Sequence, residues 1–469
     1  MKYNIRKKTF LKSNNSTTNI MYNILIILVF FIVFATYKNG IYPAIKGYGN
    51  LYTVFKPLIY TSISSIVCLF TEYLYYLIRK NKKSLYYLFS YSYAIIPGVF
   101  LSLIISINTP IWLLILGSFI ASLSKVIMGG FGKNKLNPAL VGALFITIIS
   151  SSYIGGYLNE YEVDTISSAT PLSNMTASSY VVTYDNLVKP YGNLYNFLFG
   201  NIPGSIGETS SLLIIIAFIY LAYKKMIKIR IPISYIMTVT LISLIMCLSK
   251  DIGLWFILFN ILSGGLLFGA VLMATDPVTT PISTRGQLIG GIILGIITMY
   301  IRYMTPLPEG VLISILILNI LTIIINYITI KIYNKKTLRN IIVILFIISI
   351  IPISLIMTNN INTKPLDDSF EILSKVTKGT DTIYEVKGRG YAGNGSLKLK
   401  ITFNSDKVSK LDIIKSNETY TKDIYNNDYL NKIINNQDNL DNLDTISGCT
   451  YTSKYLKEIV EKTKKDYNR

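Results

Sequence analysis

Apolar residues in this chain fall in long unbroken runs separated by short polar loops, up to about residue 357. A helix that crosses a bilayer needs about 20 such residues. About eleven runs approach that length, at 20–37, 57–78, 85–107, 109–128, 137–153, 210–223, 231–249, 253–274, 286–303, 310–330 and 339–357, of which 137–153 and 210–223 are short. The pattern predicts a polytopic α-helical membrane protein, about ten helices plus one tethering helix.

Beyond residue 360 the texture becomes polar and rich in Asn and Lys. Leu397–Asn404 alternates strictly, as a half-buried strand does. Ala392–Ser396 reads as a hairpin turn before it. Ser405–Lys407 reads as a turn after it, leading to a strand at 410–415. A last helix is predicted from about Tyr451, with Leu456, Ile459, Val460 and Thr463 on one face. The expected organisation is a multi-pass body over 1–335, a single helix over 336–360 and a small α+β domain over 361–469.

Charge orients this arrangement. The chain carries 45 Lys+Arg against 25 Asp+Glu, a net +20. The cations concentrate in alternate loops: Arg79 to Lys83, Lys133 and Lys135, Lys224 to Arg230, Arg285, and Lys331 to Arg339. Cytoplasmic loops hold such an excess, so the N-terminus is expected inside. Segment 154–209 and everything past 360 are then expected outside. Basic charge placed this way argues for a bilayer and against nucleic acid. Lys2, Arg6, Lys7, Lys8 and Lys12 precede the first run and mark it as a retained signal anchor.

Composition narrows the chemistry. A chain 51% hydrophobic is too apolar for a soluble protein of 469 residues. It has no His, which removes the commonest metal ligand and general base. Cys68, Cys247 and Cys449 are too dispersed for a four-Cys zinc or iron–sulfur site. No metal site is expected within this chain, and redox chemistry here would need an organic cofactor.

One short pattern occurs twice. Asp164-Thr165-Ile166-Ser167-Ser168-Ala169-Thr170 in the body returns as Asp444-Thr445-Ile446-Ser447-Gly448-Cys449-Thr450, about 280 residues later. Ser/Thr-rich turns are common in loops. Two matching copies in regions of different composition instead suggest a tag modified on its last hydroxyl. Thr450 sits just before the predicted last helix. A phosphate esterified there would meet free backbone N–H groups and the positive end of the helix dipole. A plain N-cap role for Thr450 or Ser447 uses the same geometry.

Two irregular stretches lie at membrane edges, 129–142 and 273–281. Irregular backbone is tolerated there only where protein or a polar cavity surrounds it. They are candidates for a ligand site or ion path, or else tight interhelical turns. Glu72 lies inside a predicted span, where an acid is costly and usually has a partner. Arg79, about two helical turns on, is its candidate partner.

With these motifs in view, residues 1–335 resemble the RnfD/NqrB family of membrane subunits. The carrying sequences are GGFGKNKLNPALVG at 129–142, SSATPL at 167–172, ATDPVTTP at 274–281, and Pro308-Glu309-Gly310-Val311. Residues 340–469 resemble RnfG/NqrC, a single helix followed by an FMN-binding domain. There the signals are Gly388-Arg389-Gly390-Tyr391, Asn417-Glu418-Thr419 and DTISGCTYTS at 444–453. The chain looks like a fusion of two subunits that are usually separate.

The resemblance implies a subunit of a redox-driven, ion-translocating complex in a bacterial cell membrane, not catalytic alone. It implies that a flavin transferase attaches FMN through its phosphate to Thr170 and Thr450. Asp164, Ser167, Asp444 and Ser447 would serve recognition, and Glu418 and Thr419 would belong to the flavin-binding lobe. It also implies a non-covalent riboflavin or FMN in the membrane near Asn134 and Asn137. The partners are other subunits of an Rnf-type complex and membrane lipid, and the coupled ion is Na⁺ or H⁺. The short N-terminus and the Ala-Thr-Pro-Leu ending favour a ferredoxin-linked Rnf type over an Nqr type that reduces quinone from NADH. A passive channel with vestigial tags and a scaffold remain the rival readings. Ser168 and Cys449 depart from the family's commoner Gly and Ala. Two tethered flavins on one face would form a short relay, with fusion raising their mutual concentration.

Overall fold

The computed structural model describes residues 16–47, 50–80, 83–149, 157–158, 167–168, 170–178, 180–305, 307, 309–331, 336–363, 370–390, 393–404, 407–416, 421–437, 439–440, 443–446 and 449–467. Six helices among them are long and apolar enough to cross a membrane: Thr17–Ile45, Leu51–Ile78, Arg230–Lys250, Thr284–Met304, Val311–Lys331 and Asn340–Thr358. Trp255–Leu262 and Leu266–Met273 make a seventh if counted as one span bent by 60°. Ile95–Ile104, Ile111–Ile127, Pro138–Ile149 and Ser211–Tyr223 are shorter apolar helices.

Every apolar run therefore carries helix, but not always a full span. The run 85–107 divides into Leu85–Ser90 and Ile95–Ile104. The run 253–274 breaks at Gly264 and Gly265, whose φ angles are 64° and 62°. That left-handed backbone costs glycine least, because it has no Cβ to clash. Hydropathy cannot detect such a break, because the residues on both sides stay apolar.

In lipid, helices gain little from burying apolar surface, so small residues and hydrogen bonds hold them together. Gly291 and Gly295 let Thr284–Met304 approach Arg230–Lys250 closely. A Cβ on Gly291 would lie 1.8 Å from Ser234 Oγ, and one on Gly295 2.6 Å from Thr238 Cβ. The Tyr235 hydroxyl meets Thr298 Oγ1 at 2.7 Å, and Thr298 meets Ser314 Oγ at 2.8 Å.

The bundle has two distinct ends. At one, a single cavity gathers Ile20, Phe131, Asn137, Met226, Ile227 and Asp276. At the other, Lys38 Nζ donates to Ile202 O at 2.6 Å. There too the Tyr180 hydroxyl donates to Thr305 O at 2.8 Å, and Asn360 Nδ2 to Tyr303 O at 2.9 Å. Residues of the stretches 131–138, 226–227 and 275–278 thus meet at one end, and residues near 38, 180, 202, 305 and 360 gather at the other.

The C-terminal part is a four-stranded antiparallel meander of Glu371–Lys378, Asp381–Gly390, Gly393–Asn404 and Lys407–Ser416, in that order. Leu397, Leu399, Ile401 and Phe403 alternate into its core at 0% exposure. Leu456, Ile459, Val460 and Thr463 of the helix Thr450–Tyr467 are buried as predicted. Two corrections apply. Gly393–Ser396 is strand rather than turn. The first two strands were missed, because Lys, Glu and Thr break up their apolar alternation.

Candidate functional site

Thr170 is the N-cap of the helix Pro171–Ala177. Its Oγ1 accepts from Ser173 N at 3.2 Å and shares a hydrogen bond with Ser173 Oγ at 2.8 Å. Thr170 is only 2% exposed. The next turn seats Leu172 against the broken helix, where a Cβ on Gly264 would lie 2.2 Å from Leu172 Cδ1. The threonine is therefore fixed to the break in the membrane body rather than carried on a free loop.

A buried charge network surrounds that break. Arg302, at 0% exposure, donates to Asn260 O at 2.7 Å and Ser263 O at 3.0 Å. These are carbonyls at the C-terminal end of Trp255–Leu262, where helix dipoles favour a cation. On the other side, a Cβ on Gly265 would lie 2.5 Å from Glu208 Oε2. Ser205 Oγ donates to Glu208 Oε1 at 2.5 Å. Burial, and then the Glu309 carboxylate, push the Glu208 carboxyl up to about 8, against the hydrogen bond from Ser205 and the charge of Lys38. Lys38, itself buried, donates to Thr209 Oγ1 at 2.9 Å. Sequence reasoning missed Lys38 and Arg302 as site residues. The available signal was a lone cation at the end of an apolar run.

The tether leaves the bundle at this same end. Val182 N donates to Asn362 O at 2.8 Å, and Asn362 N donates to Tyr180 O at 3.0 Å. The segment that follows Thr170 thus pairs with the chain just past the tethering helix.

The second tag is described in part. Thr450 is the first residue of its helix rather than the residue before it. Cys449 is buried at 3% exposure, and Asp444 is exposed. Ile446 N donates to Ser453 Oγ at 3.3 Å. Ser167 pairs through its backbone with Leu158. Asp164, Ser447, Glu418 and Thr419 lie outside the described residues.

At the opposite end, the irregular stretches 129–142 and 273–281 form walls of one cavity rather than separate turns. Asn134 and Asn137 both line it and are 5% and 7% exposed. Asn134 Nδ2 donates to Leu136 O at 3.2 Å, while its Oδ1 has no hydrogen-bond partner among the described residues. Asn137 Oδ1 accepts from Ala139 N at 3.1 Å. Asp276 accepts from Thr279 Oγ1 at 3.1 Å and Val278 N at 3.4 Å. Tyr93, Phe100 and Phe131 supply aromatic walls. An apolar, aromatic slot with one orphaned acceptor suits a flat ring that carries an N–H donor.

Glu72 does not pair with Arg79. Its Oε1 meets Lys125 Nζ at 3.1 Å and accepts from Ser92 Oγ at 2.7 Å. Arg79 instead lies over the Tyr75 ring, 5.4 Å from its centre. Two helical turns separate Glu72 from Arg79 along one helix, whereas Lys125 comes from a packed neighbour.

Residues 4–365 match the NQR2, RnfD, RnfE family, and residues 390–465 match the FMN-binding domain. Among relatives, the D component of the proton-translocating ferredoxin:NAD(+) oxidoreductase complex of Clostridium ljungdahlii is 31% identical over 320 residues, 67% of this chain and 90% of that protein. The D component of the Na(+)-translocating ferredoxin:NAD(+) oxidoreductase complex of Acetobacterium woodii is 31% identical over 306 residues, 65% of this chain and 86% of that protein. The B component of the Na(+)-translocating NADH-quinone reductase of Klebsiella pneumoniae is 32% identical over 229 residues, 47% of this chain and 55% of that protein. The chain belongs to the NQR2, RnfD, RnfE family and carries an FMN-binding domain at its C-terminal end.

Proposed function

We propose that this chain is a membrane flavoprotein subunit of an Rnf-type complex, relaying electrons through FMN esterified to Thr170 and Thr450 and coupled to Na⁺ or H⁺ movement. The observation that carries the reading is the pairing of Asn362 with Tyr180 and Val182. It anchors the root of the FMN-binding part beside the segment that bears Thr170. Greater coverage of the two ferredoxin-linked D components than of the quinone-reductase B component favours the ferredoxin-linked type. The outer face of the membrane is the side of both threonines in this reading. Domain limits near 335 and 360 follow the change from multi-pass body to tether to strand-rich lobe.

Bound FMN supplies a carrier that takes up one or two electrons. The chain's own residues position it. Ser173 N holds the Thr170 oxygen, which keeps accepting that bond once esterified. The turn at Leu172 and Gly264 fixes the attachment point against the membrane body. Asn134, Asn137 and the aromatic walls of the second cavity would hold a further, non-covalent flavin. Other members of the complex exchange electrons with these groups, and a flavin transferase installs the esters.

Peptide mass analysis of protein co-expressed with a flavin transferase tests the reading. An FMN adduct is expected on Thr170 and on Thr450. Thr170→Ala and Thr450→Ala each dim the in-gel flavin band, and the double variant abolishes it. Unmodified threonines in an assembled, active complex would overturn the proposal.

A further inference from the structure

The Glu72–Lys125 pair is costly to keep inside a membrane protein, since desolvation opposes it. Both side chains are buried, at 0% and 4% exposure. Lys125 Nζ is held by Glu72 Oε1, by Ser92 O at 2.5 Å and by Ser92 Oγ at 3.4 Å. Those contacts occupy its three donors. Glu72 keeps one buried oxygen, Oε2, without a hydrogen-bond partner among the described residues. Lys125 lines the cavity that also has Asn134 and Asn137 in its wall, whereas Glu72 is no part of the lining. The other charged group on the wall is Asp276, engaged by Thr279 and Val278 on the facing stretch, with Lys228 nearby.

We infer that the Glu72–Lys125 ion pair sets the reduction potential of a flavin held in this cavity, Lys125 being a residue of the wall and Glu72 its buried counter-charge. This deepens the proposed function and rests on that cavity holding a non-covalent flavin. Reduction adds negative charge to the ring. A cation on a residue of the wall favours the reduced form, and the carboxylate paired with it partly cancels that field. In a low-dielectric site such fields act strongly. Lys125 has no free donor for the ring, so its influence is through space and depends on charge rather than on a particular hydrogen bond.

The two members of the pair therefore predict shifts of opposite sign. The test uses full-length protein carrying Thr170→Val and Thr450→Val, so that acid-extractable flavin is the only flavin signal. Redox titration of its absorbance gives the potential, and added riboflavin gives binding. Lys125→Met is expected to cost about tenfold in preference for the reduced form, a fall of about 30 mV for a two-electron couple. Glu72→Gln keeps the acceptor for Ser92 and is expected to raise the potential. Lys125→Arg is expected to leave it near the parent value.

No shift in Lys125→Met, or shifts of the same sign in Lys125→Met and Glu72→Gln, overturns the inference while extractable flavin upholds the cavity reading. Absence of extractable flavin from the parent overturns both. If Lys125→Met loses the flavin, retention in Lys125→Arg at the parent potential supports the charge role, and loss in both variants overturns it.

Discussion

Asn362, four residues past the tethering helix, is locked to Val182 by a backbone hydrogen bond of 2.8 Å from the Val182 N–H. A short parallel bridge aligns Val181 with Asn362. A helix ending in open solvent would leave its last backbone groups to water. Here the chain beyond the helix is instead ordered against the body.

Residues paired in neighbouring strands lie within disulfide reach. Val181→Cys with Asn362→Cys is expected to cross-link on mild oxidation of the full-length protein, and the three native cysteines are buried. Non-reducing electrophoresis after cleavage between the two sites reads the result. Failure to cross-link would detach the tether from the body.

Thr170 has a structural role separable from its ester. Removing its capping oxygen in Thr170→Ala is expected to cost about 1 kcal/mol, while Thr170→Ser keeps the cap. Thermal unfolding of protein expressed without a flavin transferase isolates this effect. Equal midpoints for Thr170→Ala and the parent would remove the cap from the account.

Arg302 satisfies carbonyls at the end of a broken helix, from a fully buried position. Arg302→Met would strand Asn260 O and Ser263 O, at roughly 1–3 kcal/mol for each unsatisfied group. Folded yield and thermal midpoint should both fall. Arg302→Lys lacks the planar fork and is expected to fall between the two. An unaffected Arg302→Met would show that the carbonyls find other donors.

The raised Glu208 carboxyl makes stability depend on pH in a stated direction. The folded protein holds this proton to higher pH than the unfolded chain does. That contribution is complete in acid and is lost as pH rises from the ordinary carboxylate range through about 8. Thermal midpoints of the parent are expected to decline over that window. Glu208→Gln is expected to flatten the decline. A parent that grows more stable across the same window would contradict the sign.

Much of the candidate site was visible in the sequence because it depends on local pattern. The repeated Asp-Thr-Ile-Ser tag and the irregular stretches 129–142 and 273–281 stood out against apolar surroundings, and the family resemblance pointed to Asn134 and Asn137 within the first of them. Lys38, Lys125 and Arg302 did not. Each is one cation within or beside an apolar run, and nothing in its neighbours tells whether it reaches water or turns inward. Glu72 stood out as a costly acid. Its partner could not be read, because Lys125 follows it by 53 residues and meets it only once two helices pack.

The sequence by itself determined where the apolar helices lie, and it showed that a polar part with a strand at Leu397–Asn404 and a last helix follows them, though not that part's first two strands. Those properties follow from runs, alternation and local charge, which short stretches of chain carry unaided. Tertiary structure alone decided the break at Gly264 and Gly265, the joining of the two irregular stretches around one cavity, and the Glu72–Lys125 and Asn362–Val182 contacts. The physical reason is that backbone handedness, side-chain direction and long-range pairing are settled by packing between segments distant in the chain.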